Sequence, residues 1–120
     1  YVLSITSHLP HLIAYNIVNT TLNLKKKKDS DIIKYSAGGL RDFTRIAASN
    51  PVMWRDIFIQ NQKNTSEMIE KFIKNLIYLK KIIKKGDGKK LEKIFKKTKK
   101  IRKEIVRAGQ DISKPDFGRN

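Results

Sequence analysis

Two short runs in this chain carry side chains able to do chemistry. One is Ser36-Ala37-Gly38-Gly39-Leu40-Arg41-Asp42-Phe43-Thr44-Arg45-Ile46-Ala47. Its adjacent glycines free the backbone just before an amphipathic stretch. Glycines at a helix start leave backbone N–H groups accessible, and a helix N-terminus favours an anion. Asp42 and Arg45 are spaced to share one helix face. Arg45 brings a planar fork of donors suited to holding a carboxylate at two points. The run therefore reads as a place to receive a small acid. The plainer alternative is a glycine turn followed by a surface helix with an internal ion pair.

The other run is Ser7-His8-Leu9-Pro10-His11. On a helix, Ser7, His8 and His11 reach neighbouring space. A histidine pair at this spacing suits two metal ligands, but no carboxylate or third histidine joins it, which argues against a metal site. A serine–histidine nucleophile needs a third group to orient the base and an oxyanion site. The sequence offers neither, which argues against hydrolysis. The ordinary role for one of these histidines is in a core or a cap.

The elements that position these residues read as helices. The 120 residues suit one domain. Val2 through Leu24 has a helical pattern, with Leu9, Leu12, Ile13, Ile17 and Val18 on its apolar side. Pro10 removes one backbone N–H and disfavours helix at Leu9, so a kink or a helix start is expected beside the two histidines. Lys25 to Ser30 reads as a polar loop, with Asp31 placed to cap a short helix through Tyr35. Leu40 to Ala48 reads as another short helix. Asn50-Pro51 is a strong start signal, an N-cap residue followed by proline at the first helical position.

The helix beginning there carries Trp54, Ile57 and Phe58, then Met68, Ile69, Phe72, Leu76, Leu79 and Ile83. Between these sets, Gln60 to Ser66 is polar, either a bend or an exposed stretch. Gly86-Asp87-Gly88 ends the helix. A last helix sets Leu91, Ile94, Phe95, Thr98, Ile101 and Ile105 on one side. Helices over 51–85 and 90–108 thus read as an antiparallel hairpin closed by Gly109. No period-two strand pattern is convincing. The fold class expected is all-α, a helical bundle with a long C-terminal hairpin. The hairpin has more apolar positions than one small partner helix would cover, which predicts an interdigitated homodimer rather than a monomeric bundle.

Composition narrows the function classes. Cysteine is absent, so disulfides and thiolate metal sites are excluded, and a cytoplasmic protein is the expectation. No apolar run approaches a membrane span of about 20 residues. The net charge of +16 would ordinarily point to nucleic acid or an anionic membrane. Here the excess is mostly lysine, in runs beside abundant Ile and Asn. Aromatics are not interleaved with it as stacking platforms. No nucleic-acid or membrane partner is expected, although the field would speed arrival of an anionic substrate.

The motifs also resemble a known family. Gly38 through Ala47, followed by Ser49-Asn50-Pro51-Val52-Met53-Trp54-Arg55-Asp56-Ile57, is similar to the C-terminal domain of prephenate and arogenate dehydrogenases. Ile5 through Tyr15 resembles that family's Ser-His-x-Pro-His segment. The tail Ala108-Gly109-Gln110-Asp111 with Pro115-Asp116-Phe117-Gly118-Arg119 is similar to the ending of the cyclohexadienyl dehydrogenase branch, whose members often accept both substrates.

The resemblance implies that residues 1–120 form a helical dimerisation and substrate-binding domain. An N-terminal Rossmann domain binding NAD or NADP would be the missing part, since the chain has no G-x-G-x-x-G and no His-Pro-x-x-Gly segment for the family's catalytic histidine. The fragment is expected to be inactive alone. Implied substrate contacts are Arg45, His11, Gly38, Asp42, Ser7, His8 and Trp54, with His11 tied to the substrate side chain or to inhibition by tyrosine. Asp42 would orient Arg45 or join an ionic network, and Gly38 would approach the side chain. Trp54 is as readily a core residue. The implied reaction is oxidative decarboxylation in tyrosine biosynthesis, with hydride passing to the nicotinamide and loss of carbon dioxide aromatising the ring. A basic helical nucleic-acid-binding module and a non-catalytic structural dimer are the alternatives.

Overall fold

The computed structural model describes residues 1–22 and 38–109 of the chain. Every regular element among them is helical. The expected loop at Lys25 to Ser30, the cap at Asp31 and the tail from Gln110 onward lie outside the described residues. No helix among the described residues is long and apolar enough to cross a membrane.

The chain opens on a π-helical turn, Ser4–His8, which runs into α1, Leu9–Leu22. The Leu9 N–H donates to the Ser4 carbonyl, one residue further back than an α-helix requires. The reason lies in the next residue. Pro10 has no N–H, and its ring crowds the carbonyl four residues upstream. A single wide turn just before the proline moves the ladder out of that register, and such turns often sit at functional sites. Buried Ser4 holds the entrance, with its backbone N–H and its Oγ both donating to the Tyr1 carbonyl. The expected disturbance at Pro10 is thus a change of helix type.

Helix α2 spans Gly38–Thr44 and tightens into a 3₁₀ turn, Arg45–Ala48. Both pack on α1. Ala14, with no exposed surface, lies on α1, and the Tyr15 hydroxyl donates to the Ser49 carbonyl at 3.0 Å. Helix α3, Pro51–Gln60, starts as its sequence dictates. Asn50 accepts from the backbone N–H groups of Val52 and Met53 at 3.0 and 3.1 Å, and Pro51 takes the first turn.

The long helix expected from Pro51 to Lys85 is broken at Asn61, whose φ of −108° and ψ of 38° leave the helical region. Helix α4 then runs Gln62–Lys85. The polar stretch Gln60 to Ser66 therefore contains a bend. The described residues form two compact units, with the boundary between Ile69 and Glu70, inside α4.

In the second unit α4 ends in a Schellman motif. Gly86 adopts φ 70°, its N–H donates to Ile83, and the Asp87 N–H donates to Ile82. Asp87 then caps α5, Gly88–Arg107, by accepting from the Lys90 N–H at 3.1 Å. Two residues thus end one helix and start the next. Ile82 is buried, whereas Ile83, placed on the apolar face by sequence, is exposed. Ile73, Leu76 and Ile77 on α4, with Phe95, Ile101 and Ile105 on α5, are also exposed.

Candidate functional site

The first unit gathers a ring cluster from its two ends. The π turn and the start of α1 supply His8 and His11. One face of α3 supplies Trp54 and Phe58, four residues apart, and Asn61 follows at the break. The His11 imidazole stacks on the Trp54 indole, with centroids 3.8 Å apart and planes inclined by 19°. His8 meets the same indole edge-on at 6.2 Å and Phe58 edge-on at 6.5 Å. Trp54 and Phe58 are themselves in contact at 5.5 Å. Edge-to-face and offset arrangements are the favourable ones for aromatic rings.

Each histidine is held through Nδ1. The Ser7 carbonyl lies 2.8 Å from His11 Nδ1. A carbonyl only accepts, so Nδ1 carries the proton, and neutral His11 presents a lone pair at Nε2. The part of Ser7 that does this is its backbone. His8 Nδ1 lies 3.0 Å from the Asn61 side-chain amide nitrogen. The other end of that amide, Oδ1, accepts from Asn64 Nδ2 at 3.0 Å. Both histidines and Ser7 are half-buried, while Trp54 is only 7% exposed. The indole is therefore at once a core residue and a wall of the histidine site.

The second sequence run sits on the neighbouring segment. Gly38 begins α2, Asp42 lies on its middle turn, and Arg45 is the first residue of the 3₁₀ turn. Gly38 and Asp42 are half-buried and Arg45 is exposed. Asp42 Oδ1 is buried and has no hydrogen-bond partner among the described residues. Arg55 on α3 pairs at the surface with Asp56 at 2.9 Å.

Three participants escape a reading of motifs: Phe58, Asn61 and Asn64. Phe58 was visible as apolar periodicity. The amides gave no motif, and the only hint was that they fall in the polar stretch interrupting two apolar faces.

The comparisons with known proteins identify the family. A family model described as the prephenate dehydrogenase dimerization domain matches residues 1–97. The cyclohexadienyl dehydrogenase of Zymomonas mobilis is 41% identical over 102 residues, covering 85% of this chain and 35% of that protein. The prephenate dehydrogenase of Bacillus subtilis is 33% identical over 101 residues, covering 84% of this chain and 27% of that protein. A crystal structure of prephenate dehydrogenase from A. aeolicus, in complex with hydroxyphenyl propionate and NAD+, superposes with a TM-score of 0.81 at 43% identity. That match covers 88% of this chain and 36% of the other. The chain thus spans between 27% and 36% of the length of these relatives. The match reaches from the Ser-His-x-Pro-His segment through the hairpin turn, and on this ground the chain belongs to the prephenate dehydrogenase dimerization-domain family.

Proposed function

We propose that this chain is the dimerising and substrate-holding part of a dehydrogenase that oxidatively decarboxylates prephenate or arogenate in tyrosine biosynthesis. The observation that carries the reading is the pairing of His8 and His11 with Trp54, because it builds a half-buried aromatic wall with polar nitrogens at the family's own motif. A ring-bearing acid fits such a wall. The A. aeolicus relative was crystallised with a ligand of that kind, a hydroxyphenyl group carrying a propionate.

Arg45 is the residue proposed to take a carboxylate, since a guanidinium remains charged and binds the group at two points. Ser7, Gly38 and Asp42 border it in this reading. The chain's share of catalysis is then positioning the acid and excluding water.

The nicotinamide cofactor, NAD or NADP, is proposed to bind mainly outside this chain, and the A. aeolicus relative was crystallised with NAD+. Two copies of the chain are proposed to pair through the exposed apolar faces of α4 and α5.

The test is to join the chain to its native upstream region and follow NAD and NADP reduction with prephenate and arogenate in parallel. Turnover with either acid supports the reading, and the ratio assigns the substrate. A folded, cofactor-binding dimer that turns over neither would favour a structural role instead.

A further inference from the structure

We propose that Asn61 is a positioning residue that holds His8 as its Nε2–H tautomer, so that His8 donates a hydrogen bond to an oxygen of the ligand. This inference rests on the substrate site proposed above. His8 Nδ1 faces the Asn61 amide nitrogen at 3.0 Å, and an NH₂ group only donates. Nδ1 must then be the accepting nitrogen, which puts the proton of the neutral ring on Nε2.

The amide is itself oriented. Asn64 Nδ2 donates to Asn61 Oδ1 at 3.0 Å, so turning the Asn61 amide alone would set two NH₂ groups against each other. Asn61 sits at the break between α3 and α4, outside both helices, in a backbone conformation of its own. The His8 ring is further confined by its edge contacts with Trp54 and Phe58.

The consequence is an asymmetry between two histidines three residues apart. His11 gives its Nδ1 proton to the Ser7 carbonyl and keeps an accepting Nε2. His8 does the reverse and keeps a donating Nε2–H. The pair therefore offers one donor and one acceptor, which matches a ligand bearing both an oxygen acceptor and an O–H or N–H donor. Two freely tautomerising imidazoles would not discriminate in this way.

The direct test is long-range ¹H–¹⁵N correlation on the ¹⁵N-labelled 120-residue chain, at a pH that keeps both rings neutral. The expected result is Nε2–H for His8 and Nδ1–H for His11. Asn61→Asp replaces the donor by a carboxylate, which only accepts, and should convert His8 to Nδ1–H with the helical circular dichroism intact. Asn61→Gln, which keeps an amide donor, should restore Nε2–H at least in part. An Nδ1–H proton on His8 in the parent chain, or a tautomer indifferent to Asn61→Asp, overturns the proposal.

These spectra do not depend on any enzymatic reading. In the chain joined to its upstream region, Asn61→Asp should raise KM for the accepted acid by about ten-fold, with Asn61→Gln closer to the parent. A converted tautomer with an unchanged KM would remove the donor role. Absence of turnover in the parent would instead count against the dehydrogenase reading and leave the tautomer assignment standing.

Discussion

The imidazole of His11 lies almost parallel to the indole of Trp54, 3.8 Å away, and is anchored from behind by the Ser7 carbonyl. One residue comes from the start of α1 and the other from the first turns of α3, so the stack also joins two helices of the first unit. Burial of a large indole and a specific ring pair are separable contributions. Trp54→Ala should cost about 3–5 kcal/mol of stability, the usual range for a buried aromatic. His11→Ala should cost less, because that ring is only half-buried. A double-mutant cycle by urea denaturation should give a coupling of about 0.5–1.5 kcal/mol between them. Strict additivity would mean that the rings merely adjoin.

Arg45 presents the opposite case, a residue proposed for binding that sits exposed at the head of a 3₁₀ turn. Exposed substitutions usually change stability by no more than about 0.5 kcal/mol. Arg45→Ala should therefore lower the melting temperature much less than Trp54→Ala does. In the chain joined to its upstream region it should raise KM about ten- to a hundred-fold, because a charge-assisted pair to a carboxylate is lost. Arg45→Lys should recover only part of this, since an ammonium lacks the planar fork. Steady-state kinetics with all three proteins decides the matter, and equal KM values would remove Arg45 from the site.

The sequence was most legible where structure is set locally. Asn50-Pro51 announces the start of α3 and Gly86-Asp87 the hairpin turn, because caps and left-handed glycines act over three or four residues. The disturbance at Pro10 was also legible, since a missing N–H is written in the residue itself. Its form was not, because choosing a π turn over a fresh helix start depends on how Ser4 is buried and bonded. Asn61 was harder still. Nothing nearby distinguishes it from other polar residues, and its bond is to His8, 53 positions away. The break it makes also separates the apolar face of α3 from that of α4. Farther along α4, it is Ile82 rather than Ile83 that is buried. The family motifs put Ser7, His8, His11 and Trp54 in one expected site with Gly38, Asp42 and Arg45, and among these residues the structure shows ring contacts only for His8 and His11 with Trp54. The motifs were silent on Phe58, Asn61 and Asn64 because those contacts are tertiary.

The turn between α4 and α5 allows a clean test of backbone against side-chain effects. Gly86 holds φ at 70°, and a Cβ added there would meet nothing within 4 Å. Gly86→Ala should therefore cost only the left-handed conformation, about 1–2 kcal/mol. Asp87→Ala removes the acceptor for the Lys90 N–H and should cost about 1 kcal/mol. Asp87→Asn, which keeps an acceptor at the N-cap, should retain most of that cap. Thermal denaturation of the three variants separates the two contributions. A Gly86→Ala loss far larger than this would mean that the turn is packed against something, as a partner subunit would do.

The proposed dimerisation would set two forces of opposite sign against each other. Ile73, Leu76 and Ile77 recur at helical spacing on α4, and Phe95, Ile101 and Ile105 lie on α5, all more than 40% exposed. Aligned apolar stripes of this kind mark an interface more surely than scattered exposed residues do. Association, however, brings together two chains of formal charge +16. Their repulsion opposes the apolar gain and is screened over about 10 Å at 0.1 M salt. Raising the salt should therefore tighten the dimer, the reverse of what a basic chain bound to nucleic acid would show. Replacing Leu76 and Ile101 together by Glu lowers the net charge, yet it should shift the chain towards monomer, because the buried carboxylates would have to be desolvated. Sedimentation equilibrium across a salt series measures both effects. If the double variant dimerised as well as the parent, the pairing surface would lie elsewhere. If the parent dimer loosened with salt, ion pairs rather than these apolar stripes would be holding the subunits.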